Sequence, residues 1–189
     1  MLDFEYKGTR VSVYKSKRKT ASIQLKPSEI VVRVPEQMSE KEIKEFVLKH
    51  GSWIETHQKL LAEQLKEAKA EPKFTYEEIK ALADKAMTVI PEKVRHYAPL
   101  IGVDYHGITI RNQRTRWGSC SSKGNLNFNC LLMLAPDEVI DSVVVHELCH
   151  RKHMNHSQSF YAEVYKVFPE YDRCHKWLED NGRRILGRL

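Results

Sequence analysis

The sequence lacks several features that would place it in a common class of protein. Its four cysteines are scattered along 189 residues without a C-x-x-C pair, so we expect free thiols and neither a disulfide scaffold nor a cysteine zinc knuckle. No apolar run approaches the roughly 18 residues of a transmembrane helix. The opening residues, MLDFEYKGTR, contain no apolar segment like that of a signal peptide. We therefore expect a protein of the cytoplasm that has no membrane partner.

Charge is the next informative property, because basic residues exceed acidic ones. The formal net charge is +6 at pH 7, and residues 1–20 contain six Lys or Arg against two acidic residues. The stretch YKSKRKT holds Lys15, Lys17, Arg18 and Lys19 close together. Such a patch predicts either a nucleic-acid partner or, as charge runs more often indicate, a solvated hairpin.

The first part of the chain reads as strands followed by a long helix. Partial alternation and β-branched residues predict a β region over residues 1–36. Ser39 and Glu42 have the spacing of a capping box, and apolar residues then recur at helical intervals. We expect a long connecting helix over residues 37–72, with a break at Gly51.

The remainder, residues 73–189, mixes helices and strands. Its first predicted helix contains Pro91, which should kink or split it, and Gly102 marks the end of the helix. Residues 107–113 and 125–134 read as strands, and the polar loop between them predicts an antiparallel hairpin. The whole pattern predicts an α+β fold.

The chemistry concentrates in the stretch VVVHELCH. On a helix, His146 and His150 lie about 40° apart, so both imidazoles can reach one cation, while Glu147 lies about 100° round the axis. This is the H-E-x-x-H arrangement of zinc hydrolases, in which zinc lowers the pKa of water to about 7 and the glutamate takes the proton. The apolar residues before His146 predict a buried segment. A buried carboxylate beside two histidines is costly unless a metal compensates for it.

A catalytic zinc usually takes a third protein ligand, and the sequence offers two candidates. His156 follows His146 by ten residues, but it can reach the same site only if the helix ends first. Met154-Asn155 is a plausible end, because asparagine tolerates the left-handed conformation. Glu170 is the alternative, as a carboxylate supplied by a later helix. The need for only a local turn favours His156.

These motifs together resemble a known family. Residues 114–120 read RTRWGSC, residues 146–150 read HELCH, and Asn155-His156-Ser157 is followed by Phe160. This combination resembles the YgjP-like metallopeptidases, relatives of the SprT-like zinc proteases, most strongly over residues 105–180.

The resemblance implies a zincin-like fold, in which a small antiparallel sheet packs on the H-E-x-x-H helix. It also implies one zinc ion held by His146, His150 and His156, with Glu147 as the catalytic residue.

Several further residues are candidates for binding a substrate. Residues 125–131 form a candidate edge strand that could hold an extended peptide, with Asn127 on its wet face. Arg114 and Arg116 could bind a carboxylate or a phosphate. Tyr161 is a candidate oxyanion donor, and two further candidates are Tyr165 and His175.

Three functions fit these patterns. The first is a zinc metallopeptidase that acts on peptides or proteins, with Glu147 as general base. The second is a metal-dependent hydrolase of nucleotide phosphoanhydrides that uses Arg114 and Arg116, although the sequence contains no Gly-rich phosphate loop. The third is a DNA-associated protease that binds nucleic acid through residues 15–19.

Overall fold

A computed structural model describes the chain from residue 2 to residue 189, apart from the side chains of residues 2, 68 and 69. The chain divides into two compact units, one ending at Lys66 and the other beginning at Glu67. The division into residues 1–36, 37–72 and 73–189 stays a prediction. Among the described residues, no helix combines the length and the apolar character that a bilayer crossing requires.

The N-terminal unit contains a four-stranded sheet with the order β1-β2-β4-β3. Its strands are β1 (Leu2–Tyr6), β2 (Thr9–Ser16), β3 (Ser22–Lys26) and β4 (Glu29–Pro35). Strands β2 and β4 pair in parallel, and the other two pairs are antiparallel. The short N-terminal strands expected from the sequence are confirmed.

Two helices follow this sheet, α1 (Glu40–Lys49) and α2 (Gly51–Ala70). The Ser39 side chain accepts from the Glu42 backbone N–H while the Glu42 carboxylate accepts from the Ser39 backbone N–H, so the predicted capping box is present. The expected break also occurs, with His50 between the two helices. Alternate residues of β2 and β4 pack against one face of the helices, which gives this unit its own apolar core.

The second unit combines helices with a small sheet. Its elements are α3 (Tyr76–Ile101), β5 (Gly107–Arg111), β6 (Gly118–Cys120), β7 (Asn125–Asn129), a 3-10 helix (Cys130–Leu134), α4 (Asp137–Cys149), α5 (Gln158–Val167) and α6 (Tyr171–Leu186). Over the described residues 2–189, the combination of small sheets and six α-helices confirms the α+β class.

The predicted hairpin is wrong. Strands β5 and β7 pair in parallel, and β6 pairs with β7 in the antiparallel sense, so the sheet is mixed, with the order β5-β7-β6. The loop between the predicted strands contributes β6, and the Asn129 side chain secures it by donating to the Gln113 and Arg116 carbonyls. The second predicted strand also ends early, because the Asn129 side-chain oxygen accepts from the Leu131 backbone N–H and starts the 3-10 helix.

Helix α3 runs unbroken through Pro91, so the predicted split does not occur. Ile90 and Val94 are fully buried on either side of the proline, and this burial offsets the backbone hydrogen bond that proline cannot make. Gly102 ends the helix in the left-handed conformation at φ 77°, as predicted. Helix α3 packs along α4 and so holds α4 in the centre of the unit.

Candidate metal centre

Helix α4 carries the H-E-x-x-H segment through the core. Val143, Val144, Val145 and Leu148 are all buried, and they pack among residues of α3 and β7. The apolar residues fix the rotation of the helix, and this rotation leaves His146 partly exposed at one side. The His146 and His150 rings lie one turn apart, with centroids separated by 4.9 Å. The placement predicted for the two histidines is therefore present.

His156 returns to the same side because α4 ends at Cys149, earlier than the end expected at Met154-Asn155. The chain then turns until Ser157, whose hydroxyl accepts from the Phe160 backbone N–H and caps α5. This turn brings His156 Nε2 to 3.0 Å from His146 Nε2. One ring nitrogen from each of His146, His150 and His156 lies within 4.8 Å of the others.

Glu170, the alternative ligand, is not part of this group. Its side chain is 67% exposed at the start of α6, and a carboxylate oxygen lies 3.4 Å from Arg173 Nε. Among the described residues, the donor group that can hold an ion consists of the three histidines.

Hydrogen bonds fix two of the three rings. The His150 Nδ1–H donates to the His153 carbonyl at 3.0 Å, and because a carbonyl only accepts, Nε2 of His150 keeps its lone pair. His146 Nδ1 is 2.7 Å from the Tyr171 hydroxyl, which leaves Nε2 of His146 directed at His156. Outer contacts of this kind orient metal-binding histidines in proteins.

The donor set fits a zinc ion. Neutral imidazole nitrogens are common zinc ligands, and zinc–nitrogen distances of about 2.0–2.1 Å place two tetrahedral ligands roughly 3.3 Å apart. The 3.0 Å separation of the two Nε2 atoms is close to that spacing. Without a cation or a shared proton, two such lone pairs at this distance would repel each other.

Electrostatics also favours the neutral form of these rings. Burial lowers the pKa of His146 to about 3, and the neighbouring histidines add to the effect. Burial and the nearby His150 lower the pKa of His156 as well. At neutral pH both rings are therefore unprotonated, which is the state that binds a metal ion.

Glu147 is held deep beside the histidines. It is 5% exposed, and burial raises the pKa of its carboxyl to about 8, while the charge of Arg116 acts in the opposite direction. A carboxyl group whose pKa lies near neutrality is suited to both accepting and returning a proton. The space that the Glu147 carboxyl group occupies depends on Gly118, because a Cβ atom at residue 118 would lie 2.6 Å from Glu147 Oε1.

Two cavities meet at this centre and share Gly118, His146 and Glu147 as walls. The first has a volume of about 310 Å³ and is bounded further by Trp117, Val143, Tyr171 and Leu178. The second measures about 260 Å³ and is bounded further by Ser119, Cys120, His150, Met154 and His156. The carboxylate of Glu147 thus lies where an elongated substrate would pass from one cavity to the other.

The structure corrects the edge strand proposed for the substrate. Residues 125–131 include β7, which is the central strand of its sheet and is paired on both sides, whereas β6 lies at the edge. The Asn127 side chain accepts from Arg111 Nε at 2.8 Å and donates to Ser119 Oγ at 3.3 Å. The polar atoms of the Asn127 side chain therefore form hydrogen bonds to the two neighbouring strands, β5 and β6.

The remaining predicted substrate residues keep their roles as predictions. Arg114 and Arg116 are exposed in the loop before β6. The Tyr161 ring lies 6.2 Å from the His156 ring. The Tyr165 hydroxyl donates to Asp172 at 2.7 Å, and His175 borders the larger cavity.

Sequence reasoning missed Tyr171 and Gly118. Tyr171 is 25 residues from His146, and only the docking of α6 on α4 brings its hydroxyl to the imidazole. No short sequence motif indicates this contact. The glycine of RTRWGSC was a usable signal, since glycine is required wherever another group approaches the backbone closely.

Comparison with solved structures finds two similar proteins. The chain resembles crystal structures of two metallopeptidase zymogens. With Pyrococcus abyssi abylysin it shares 27% identity and a TM-score of 0.43, over 49% of this chain and 97% of that one. With Methanocaldococcus jannaschii jannalysin it shares 22% identity and a TM-score of 0.43, over 47% and 92%.

Among curated proteins, none matches the sequence. The family model described as YgjP-like, metallopeptidase domain, matches residues 19–87 and 70–181, which is most of the chain. The resemblance found in the sequence is thereby confirmed, and the chain belongs to the YgjP-like metallopeptidases.

Proposed function

We propose that the protein is a zinc-dependent peptidase in which Glu147 is the general base and His146, His150 and His156 hold one zinc ion. The observation that carries this proposal is the convergence of three imidazole nitrogens within 4.8 Å of one another, next to a carboxylate that is 5% exposed. A structural zinc site would have four ligands and no need for that carboxylate.

The ion, when bound, supplies Lewis acidity that polarises a carbonyl and lowers the pKa of a water molecule to about 7. Glu147 accepts a proton from the water that attacks the substrate carbonyl carbon, and then gives that proton to the departing amide nitrogen as the C–N bond breaks. Tyr171 keeps the His146 ring in one orientation through its contact with Nδ1. The substrate is a peptide or a protein, as the family implies.

The two other functions predicted from the sequence are phosphoanhydride hydrolysis and nucleic-acid binding, and the described contacts do not favour either of them. Arg114 and Arg116, proposed for nucleotide phosphates, are exposed side chains of a loop. The basic stretch at residues 15–19 spans the end of β2 and the chain after it, and Lys15 donates to the Met38 carbonyl. Phosphoanhydride hydrolysis, nucleic-acid binding and a location in the cytoplasm stay predictions.

The test compares the wild type with Glu147→Gln on a mixture of denatured proteins and, separately, on nucleoside triphosphates. Glu147→Gln should retain zinc by elemental analysis and lose peptide hydrolysis by about 10²–10⁴-fold, the usual contribution of a general base. Glu138→Gln is the matched control, because Glu138 lies in the first turn of the same helix and contacts Arg173. Undiminished hydrolysis by Glu147→Gln would remove Glu147 from the mechanism.

The ligand assignment needs a second pair of variants. His156→Ala should lose most of its zinc after dialysis, because it removes one of three donors. Glu170→Ala should keep its zinc, since the Glu170 carboxylate lies with Arg173. The reverse order of zinc retention would refute the assignment of His156.

A further inference from the structure

The larger cavity beside Glu147 has the size of a site for one side chain. Its volume of about 310 Å³ is at the lower limit of small-molecule pockets, which span roughly 300–1,000 Å³. It opens directly on His146 and Glu147. Any group inside it therefore belongs to a residue adjacent to the bond that is cut.

Four of the side chains that form the walls of this cavity are aliphatic or aromatic. Val143 and Tyr171 are each 5% exposed, and Trp117 and Leu178 are partly buried against the same core. Two hydroxyl groups of the walls already have hydrogen-bond partners. The Ser142 hydroxyl donates to the Val139 carbonyl at 2.8 Å, and the Tyr171 hydroxyl is bonded to His146.

Besides His146 and Glu147 of the centre, the imidazole and carboxyl groups among the described lining residues lie at the exposed margin of the cavity. His175 and Glu179 lie there, with 3.8 Å between His175 Nδ1 and a Glu179 carboxylate oxygen. No Lys or Arg is among the described residues that bound the cavity. An acidic side chain would meet a carboxylate at the entrance and find no cation inside, so its burial would be costly.

The depth of the cavity is built into α6. Gly182 is a buried helical glycine, and a Cβ atom there would lie 3.1 Å from Trp117 Nε1 and 3.3 Å from Trp117 Cζ2. The indole can lie close against the helix only because residue 182 has no side chain. In this position the Trp117 ring forms a wall of the cavity.

A place for the substrate main chain lies next to the cavity. Strand β6 is one of the two edge strands of its sheet, and Gly118, Ser119 and Cys120 also border the second cavity. An extended peptide can add to such an edge through main-chain hydrogen bonds, and alternate side chains then enter pockets. Gly118 borders both cavities, so a peptide on β6 would pass Glu147.

We infer that the cavity formed by Trp117, Val143, Tyr171 and Leu178 selects substrates with a bulky apolar side chain, such as Leu, Met or Phe, next to the scissile bond. This inference rests on the proposed peptidase function. The substrates are then extended or unfolded polypeptides that contain such residues and bind with the main chain along β6.

The experiment uses a set of peptides that differ at one position, occupied by Leu, Phe, Met, Ala or Asp, and identifies the cleaved bond by mass spectrometry. A single methylene in an apolar pocket changes kcat/KM by roughly 10–200-fold. Leu, Met and Phe should therefore exceed Ala and Asp by about tenfold or more. Cleavage beside Asp or Ala at equal rates would overturn the inference.

Two variants of one residue separate selectivity from stability. Leu178→Trp fills the cavity and should move the preference towards Ala, whereas Leu178→Ala enlarges it and should raise Phe relative to Leu. A purely structural role for Leu178 would not produce opposite shifts. Leu100→Trp is the matched control, because Leu100 is 58% exposed on α3 and does not border the cavity. Unchanged preference in both Leu178 variants would contradict the assignment.

Binding provides a readout that does not depend on turnover. Zinc-loaded Glu147→Gln should bind the Leu peptide about tenfold or more tightly than the Ala peptide, measured by calorimetry. Selective binding together with an absence of wild-type cleavage would refute the peptidase function and leave the cavity assignment standing. Cleavage without selectivity, in binding or in rate, would refute the cavity assignment alone, and neither cleavage nor binding would refute both.

Discussion

Replacing Gly118 by alanine tests the arrangement of the centre with a single added methyl group. The Cβ atom would lie 2.6 Å from Glu147 Oε1, 2.7 Å from Cγ and 2.9 Å from Cδ, whereas ordinary contact begins at 3.4 Å. The backbone of Gly118 is not in the left-handed region, so alanine brings no conformational strain of its own. Any loss in the Gly118→Ala variant must therefore arise from the collision with Glu147.

The Glu147 side chain has little room to move away from a methyl group at residue 118. It is 5% exposed and belongs to the central helix of its unit, between His146 and the buried Leu148. Overpacking of this kind costs about 1–3 kcal/mol of unfolding free energy. If the carboxylate moves aside by about 1 Å, the misplacement lowers the rate by roughly 100-fold. Gly118→Ala should therefore impair hydrolysis strongly while the three histidines keep their zinc.

A double-mutant cycle isolates the collision. Glu147→Ala removes the three atoms that the new methyl group would meet, so Gly118→Ala should cost little in that background. The difference between the two backgrounds, measured by urea unfolding of the metal-free proteins, should be about 1–3 kcal/mol. Hydrolysis is assayed in parallel for Gly118→Ala alone, with zinc measured by elemental analysis.

Gly107→Ala is the matched control on the same sheet. Its nearest neighbour would be the Asn125 side-chain oxygen at 3.9 Å, which is ordinary contact, so activity and stability should stay close to those of the wild type. The reasoning is refuted if Gly118→Ala hydrolyses peptides at the wild-type rate, or if it costs the same free energy with and without the Glu147 side chain.

Three further predictions concern the surroundings of the centre. Tyr171→Phe removes the hydroxyl that contacts His146 Nδ1 and should weaken zinc binding by about 10–100-fold in chelator competition; unchanged affinity would exclude this orienting role. Lys93→Ala leaves Asp141, whose side chain is 17% exposed, without its partner at 2.7 Å, and should lower the urea unfolding free energy by about 2 kcal/mol; no change would show that water replaces the lysine. Because burial raises the pKa of Glu147 from 4.5 to about 8, the metal-free fold binds a proton at Glu147 that the unfolded chain has lost, so the contribution of Glu147 to stability should fall as pH rises through this interval. Between pH 6.5 and pH 8 the wild type should lose about 1.6 kcal/mol relative to Glu147→Gln, whereas parallel curves would show that Glu147 is ionised in the fold.

The parts that could be predicted from the sequence are those that depend on local spacing. The capping box at Ser39, the stop at Gly102 and the shared face of His146 and His150 each follow from the geometry of one helix. The return of His156 required only that the helix end early, which the structure shows at Cys149.

The features that could not be predicted from the sequence depend on contacts between segments that are distant along the chain. Strand β6 has three residues inside a polar loop, too few to show alternation, and only its pairing with β7 reveals it. When β6 is not recognised in the sequence, β5 and β7 are read as consecutive strands. Two consecutive strands joined by a loop are then predicted to pair as an antiparallel hairpin. The Tyr171 contact likewise arises from the docking of α6, which no short motif encodes.

The contact between Tyr171 and His146 also has a consequence for the lifetime of the molecule. Tyr171 is the first residue of α6, so an ion bound by His146 is coupled through one hydroxyl to the start of the C-terminal helix. Loading at 100 times the dissociation constant adds about 2.7 kcal/mol of stability. Amide exchange in the first turn of α6 should slow when the ion binds. A chain without its ion should therefore open more readily at the first turn of α6 and be cut more readily there by an added protease.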